Sequence, residues 1–165
     1  MADISRISTN TPWEPVVAYS RLVKAGNLVA VSGTTATNEQ GILVGKGQMY
    51  VQARQALSNI RTALQRVGVP MSNVIRTRMF VTDIGRFAEA ARAHREFFAD
   101  APPATSMVEV SRLASPDMLI EIEADAYAST GGGGAPMPKA VPAKKPAPAK
   151  PAPKKSPAKK SGKKK

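Results

Sequence analysis

Apolar and polar positions change their period several times along the chain, and each change marks a predicted element. Val16 to Lys24 and Asn27 to Ser32 are β-rich runs separated by Ala25-Gly26, which predicts a hairpin. Asn38-Glu39-Gln40-Gly41 predicts a second turn. From Lys46 to Val67 a helical period takes over: Met49, Ala53, Ala56, Leu57, Ile60, Leu64 and Val67 share one side, with Arg54, Ser58, Arg61 and Gln65 on the other. Gly68 and Pro70 end that helix.

Val74 to Val81 then reads as a strand, and Thr82 or Asp83 caps a second helix from about Ile84 to Ala99. Its stripe is Phe87, Ala91, His94 and Phe98, which makes His94 a packed, hydrogen-bonded histidine. After Pro102-Pro103 come two further strands, Thr105 to Leu113 and Leu119 to Tyr127, joined across Ser115-Pro116-Asp117. In the last, Ile120, Ile122, Ala124 and Ala126 alternate with Glu121, Glu123 and Asp125, so one face meets the helices. The other sheet face is expected to carry Glu109, Glu121 and Glu123 near Arg76, Arg78, Met107 and Phe80. Such a face is either wet on one side, as antiparallel sheets allow, or buried by subunit association with its charges paired.

Charge divides the chain in two. Residues 1–130 hold 13 Lys+Arg and 12 Asp+Glu, and residues 131–165 hold 11 Lys and no acid, so nearly all of the +12 net charge lies in the second segment. That segment has no aromatic residue and few large aliphatics, too little apolar surface to offset its ordering entropy, and is expected to be disordered. The domain boundary is therefore placed between 130 and 131.

Composition removes several chemistries. With no cysteine there is no disulfide framework and no thiol nucleophile, and with one histidine neither a clustered His/Cys zinc site nor a Ser-His-Asp arrangement can be argued. No metal or cofactor is expected. Gly45-Lys46-Gly47 precedes a helix but lacks the spacer and the Ser/Thr of a phosphate-binding loop, so it is read as a turn. The first residues show no basic n-region or apolar h-region, and no apolar window reaches membrane-spanning length, which leads to the expectation of a soluble cytoplasmic protein with no membrane partner.

An ordered series of fragments carries a resemblance: Tyr19-Ser20-Arg21-Leu22-Val23-Lys24-Ala25-Gly26-Asn27, Val31-Ser32-Gly33, Gln52-Ala53-Arg54-Gln55-Ala56-Leu57-Ser58-Asn59-Ile60, Val81-Thr82-Asp83-Ile84, and Pro103-Ala104-Thr105-Ser106-Met107-Val108-Glu109-Val110 followed by Ile120-Glu121-Ile122-Glu123-Ala124. Together they resemble the Rid (YjgF/YER057c) family over nearly all of residues 5–128. The resemblance implies an α+β, chorismate-mutase-like fold, a mixed sheet with two helices on one face, assembled as a homotrimer with clefts at the subunit boundaries. In its enamine/imine deaminases the cleft takes a 2-imino acid and hydrolyses it to a 2-keto acid and ammonia without a cofactor.

Carried over residue by residue, the resemblance implies Glu121 as the carboxylate that positions water, and Tyr19, Gly33, Thr105 and Met107 as ligand contacts. Deaminase members have an arginine where this chain has Thr105. A guanidinium offers a carboxylate two parallel charge-assisted hydrogen bonds, and a hydroxyl offers one neutral donor. Losing one partner of a buried charge pair costs about 2–5 kcal/mol, or about 30-fold to several-thousand-fold in affinity. Arg21, and by strand parity Arg76 or Arg78, are the stand-ins considered. Trp13-Glu14 resembles the branch of the family that lacks the arginine, with Trp13 either lining the cleft or plugging the N-terminus.

The tail has its own signature. Gly131 to Gly134 form a hinge, and Pro-Ala-Lys repeats follow. Lys144, Lys145, Lys150, Lys154, Lys155, Lys159, Lys160, Lys163, Lys164 and Lys165 are spaced along an extended chain to meet phosphates, as in the basic tails of histone-like proteins. Without interleaved aromatics, DNA or RNA binding would be nonspecific. The expectation is a Rid-like homotrimer that binds a small-molecule ligand and is tethered to nucleic acid by its tail. An active deaminase and a nucleic-acid-associated architectural protein are the alternatives.

Overall fold

The computed structural model describes residues 3–9, 11 and 13–129, so the predicted tail and its lysines lie outside the described residues. Six strands, β1 (Ile4–Ile7), β2 (Leu22–Ala25), β3 (Leu28–Thr34), β4 (Val74–Val81), β5 (Ala104–Glu109) and β6 (Ile120–Tyr127), form one sheet in the order β1-β2-β3-β6-β4-β5. Every neighbouring pair is antiparallel except β4–β5, which is parallel. The sheet is mixed and the fold is α+β. A short helix α1 (Trp13–Val17) precedes β2, and α2 (Met49–Gln65) and α3 (Phe87–Phe98) pack on one sheet face.

The core lies between that face and the two helices. Leu22, Val29, Val31, Met79, Val81, Ile120, Ile122, Ala124 and Ala126 meet Met49, Ala53, Ala56, Leu57, Ile60 and Leu64 of α2 and Ala90, Ala93 and Phe98 of α3. The alternation in β6 and the helical period of α2 thus bury the faces they predict. α2 ends with Gly68 at φ +70° and a Val69 N–H donating to Leu64 O at 3.1 Å, the six-to-one bond that closes a helix on a left-handed glycine. Buried Gln52 ties two loops to α2: its Nε2 donates to Gly45 O and Asp117 O, and its Oε1 accepts from the Leu119 N–H.

Several boundaries differ from the sequence reading. The β-rich run from Val16 does not begin as a strand. Trp13–Val17 is helical, Ala18 breaks it at φ 60°, and β2 starts only at Leu22. Pro15, in the first turn of α1, loses no helical hydrogen bond there. α2 begins at Met49 and not Lys46, because Gly45 and Gly47 hold left-handed backbone at φ +72° and +73°. A 3-10 turn over Ile84–Arg86 precedes α3, with the Asp83 carboxylate accepting from the Gly85 N–H.

The core stripe of α3 is also rotated. Ala90, Ala93 and Phe98 are buried, whereas Phe87 is 54% exposed. The largest correction concerns β5, which ends at Glu109. Its register with β4 sets Thr105 beside Thr77, Met107 beside Met79 and Glu109 beside Val81. Met107 and Glu109 therefore stand on the helix side at the sheet edge, not on the open face with Glu121 and Glu123. The open face does hold Arg78, paired with Glu123 at 3.3 Å and Asp125 at 3.2 Å.

Candidate functional site: two half-sites on opposite faces of the sheet

The first group of side chains gathers where β3 is irregular. Pairing of β3 with β6 shifts register between Val31 and Thr34, so Ser32 and Gly33 bulge from the ladder beside Glu121. A Cβ on Gly33 would fall 2.9 Å from Glu121 Cδ and closer still to its Oε1, so the missing side chain is what lets the carboxylate lie over the strand.

Arg21 locks this ledge from behind. Its Nη1 donates to Gly33 O at 2.9 Å and to Thr34 Oγ1 at 3.0 Å, and its Nη2 donates to Tyr19 Oη at 3.0 Å. The guanidinium carbon lies 5.4 Å from the Tyr19 ring centroid. Beneath them Glu14 is buried and accepts from the Thr9 N–H at 3.0 Å, from Thr9 Oγ1 at 2.8 Å and from Ser8 Oγ.

The two carboxylates of this region are driven in opposite directions. Burial, and then the neighbouring Glu123 charge, push the Glu121 carboxyl above the usual carboxylate range, against the pull of Arg21. Burial also pushes Glu14 upward, but bonds from Ser8 and Thr9 and the Arg21 charge outweigh it and hold Glu14 below that range. Glu121 is poised to exchange a proton; Glu14 is a fixed anion.

The second group lies across the sheet. Thr105 and Met107 of β5, Met79 of β4, and Phe87, Ala91, His94 and Arg95 of α3 line a pocket of about 270 Å³. His94 Nε2 is 3.0 Å from Thr77 Oγ1, which is 2.9 Å from Thr105 Oγ1, which in turn lies 3.2 Å from Pro103 O. The His94 ring packs on Phe98 at 4.5 Å, and burial pushes its pKa down, so the ring is neutral at neutral pH.

Of the residues expected from sequence, Tyr19, Arg21, Gly33 and Glu121 come together, whereas Thr105 and Met107 stand apart from them. The stand-ins Arg76 and Arg78 join neither group: Arg76 is exposed, and Arg78 is engaged by Glu123 and Asp125. Thr77 and Arg95 have no role in the sequence reading, and Glu14 enters it only as part of Trp13-Glu14. Arg95 had a signal, since Phe87, Ala91, His94 and Arg95 follow helical spacing. Trp13 is 60% exposed. Among the described residues no group of three or more His, Cys, Asp or Glu side chains is placed to hold a metal ion. No helix among them is long and apolar enough to cross a membrane.

Residues 9–128 match the protein family described as endoribonuclease L-PSP. A RutC family protein of Pyrococcus horikoshii is 36% identical over 121 residues, covering 73% of this chain and 95% of its own. The chain belongs to the YjgF/Rid family. A solved YjgF/YER057c/UK114 family structure from Mycobacterium tuberculosis superimposes with a TM-score of 0.70 at 42% identity, covering 76% of this chain and 99% of that one. Within the YjgF/Rid family, the 2-iminobutanoate/2-iminopropanoate deaminase of Escherichia coli is 32% identical, covering 72% of this chain and 93% of its own.

Proposed function

We propose that this Rid protein is a cytoplasmic homotrimer that binds a small carbonyl or imine metabolite in clefts between copies, with Glu121 as the group that handles water there. The observation that carries the reading is the Gly33–Glu121 ledge: a half-buried carboxylate with a raised pKa, set over a glycine that leaves room above the strand. Its placement opposite the Thr105 pocket supports assembly, since one sheet cannot bring its two faces to one ligand and a second copy can.

For an imine the chemistry needs little else. On the protonated imine, Glu121 takes a proton from water as the oxygen bonds to carbon and the C=N pair moves to nitrogen; it returns that proton to the nitrogen of the carbinolamine and takes up the hydroxyl proton as the C–N bond breaks, releasing a carbonyl product and ammonia. Thr105, in place of the family arginine, weakens the grip on a 2-imino acid, so turnover of that class is slow. Keto acid release from enzymatically generated 2-iminobutanoate tests this. Slow hydrolysis above buffer is expected, with loss in Glu121→Gln and a gain in Thr105→Arg. Rates equal to buffer in both the wild type and Thr105→Arg would remove deaminase chemistry.

The tail supports a second role. Eleven lysines without an acid favour nonspecific tethering to DNA or RNA, reinforced when three tails act together. Affinity is expected to fall with salt at a log-log slope of about −0.9 per neutralised phosphate. Gel shifts over a salt series, with and without residues 131–165, decide the point, and unchanged mobility after deletion would reject it.

A further inference from the structure

The Thr105 pocket raises a question of its own, because the hydroxyl at the family arginine position is already spoken for. Thr77, Thr105 and His94 share three contacts, ending on Pro103 O, which can only accept. All three are filled when His94 Nε2–H donates to Thr77, Thr77 donates to Thr105 and Thr105 donates to Pro103 O. In the reverse polarity Thr105 donates to Thr77 instead. Either way its single proton is spent inside the chain, and the forward polarity leaves His94 Nδ1 as an acceptor. In the forward polarity, the one that fills all three contacts, neither group has a donor for an anion.

The remaining lining decides what does. Met79, Phe87, Ala91 and Met107 are apolar, so Arg95 alone carries positive charge at the pocket. Among the described residues Arg95 belongs to no ion pair, whereas Arg78 is held by two carboxylates and Arg21 by Gly33 O, Thr34 and Tyr19. It sits one residue beyond His94 on α3, at the exposed margin of the pocket. The geometry points to an anion-binding subsite in which Arg95, on α3, and not a residue of β5, meets the carboxylate of a small ligand whose apolar part lies on Met79, Phe87 and Met107. The inference rests on the cleft reading above. At about 270 Å³ the pocket falls just below the range usual for drug-sized ligands and suits a short keto acid.

Calorimetric titration of the full chain with 2-oxobutanoate and with its uncharged amide, 2-oxobutanamide, tests it. Arg95→Gln is expected to weaken the keto acid about two- to fivefold, the upper part of the range for an exposed guanidinium, and to leave the amide unchanged. Arg95→Lys keeps part of the affinity as a point charge without the planar fork. Arg92→Gln, which removes a neighbouring guanidinium stacked 4.0 Å over Tyr50, should have no effect. Unchanged keto acid binding in Arg95→Gln, or equal weakening of both probes, would overturn the assignment while leaving the cleft reading intact. Failure of the wild type to bind either probe would overturn both.

Discussion

The ledge at Gly33 and the pocket at Thr105 are built from the same sheet by different means. The ledge sits on β3 and β6, strands with neighbours on both sides, and its geometry comes from backbone: a register shift, a glycine, and an arginine bonded to the strand's own carbonyl. The pocket sits at β5, the edge strand, and its geometry comes from side chains of α3 leaning over that edge. An interior position gives Glu121 a fixed neighbourhood and a perturbed pKa. An edge position leaves Thr105 exposed and sets it in one pocket with Arg95 of α3.

Breaking the ledge should have the larger effect. Gly33→Ala places a methyl group against Glu121, and a displacement near 1 Å in a reacting group costs about 10²-fold. Imine hydrolysis in this variant is expected to fall by about that factor, while 2-oxobutanamide binding at the pocket changes little. A hydrolysis rate equal to wild type would show that Glu121 does not need its present position.

Breaking the pocket from beneath should cost stability before function. Thr77→Val keeps the shape but strands His94 Nε2 and removes the partner of Thr105, a loss of about 1–3 kcal/mol for a buried polar group left unpaired. Thermal unfolding should show a Tm several degrees lower. An unchanged Tm would mean that the hydroxyl chain contributes nothing to the fold.

The smallest effects are those of pH, and they have opposite signs in the two carboxylates. Glu121 has a raised pKa in the folded chain, so its contribution to stability is complete at low pH and is lost as pH rises through the folded value, while its capacity as a base grows over that same interval. Glu14 has a lowered pKa, so its contribution is present above the ordinary carboxylate range and is lost as pH falls through the folded value. Chemical denaturation at a series of pH values, with Glu121→Gln and Glu14→Gln, separates them: each substitution should flatten one limb of the profile.

Legibility in the sequence followed how strongly one face of each element was buried. β4, β6 and α2 bury one side against the core, and their buried faces are legible in the sequence, although α2 is shorter at both ends than the predicted Lys46–Val67. β1 and α1 are mostly exposed and carry no such contrast; β1 was missed, and the Val16-Val17 pair imitated a strand. β5 is exposed along most of its length, so its parity could be fixed only by its parallel register with β4, and Met107 and Glu109 were set on the wrong face. The ledge residues were reached through resemblance. Arg95 lies one residue beyond His94 on α3, where helical spacing alone does not separate the margin of a pocket from a solvated face.

A crystal structure of the full chain with 2-oxobutanoate tests most directly whether the two half-sites serve one ligand. A single keto acid is expected between copies, with Glu121 and Gly33 from one chain on its carbonyl side and Thr105, Met107 and Arg95 from another around its remainder. A ligand bound wholly within one chain, or copies assembled so that the Gly33 ledge and the Thr105 pocket never face each other, would contradict it.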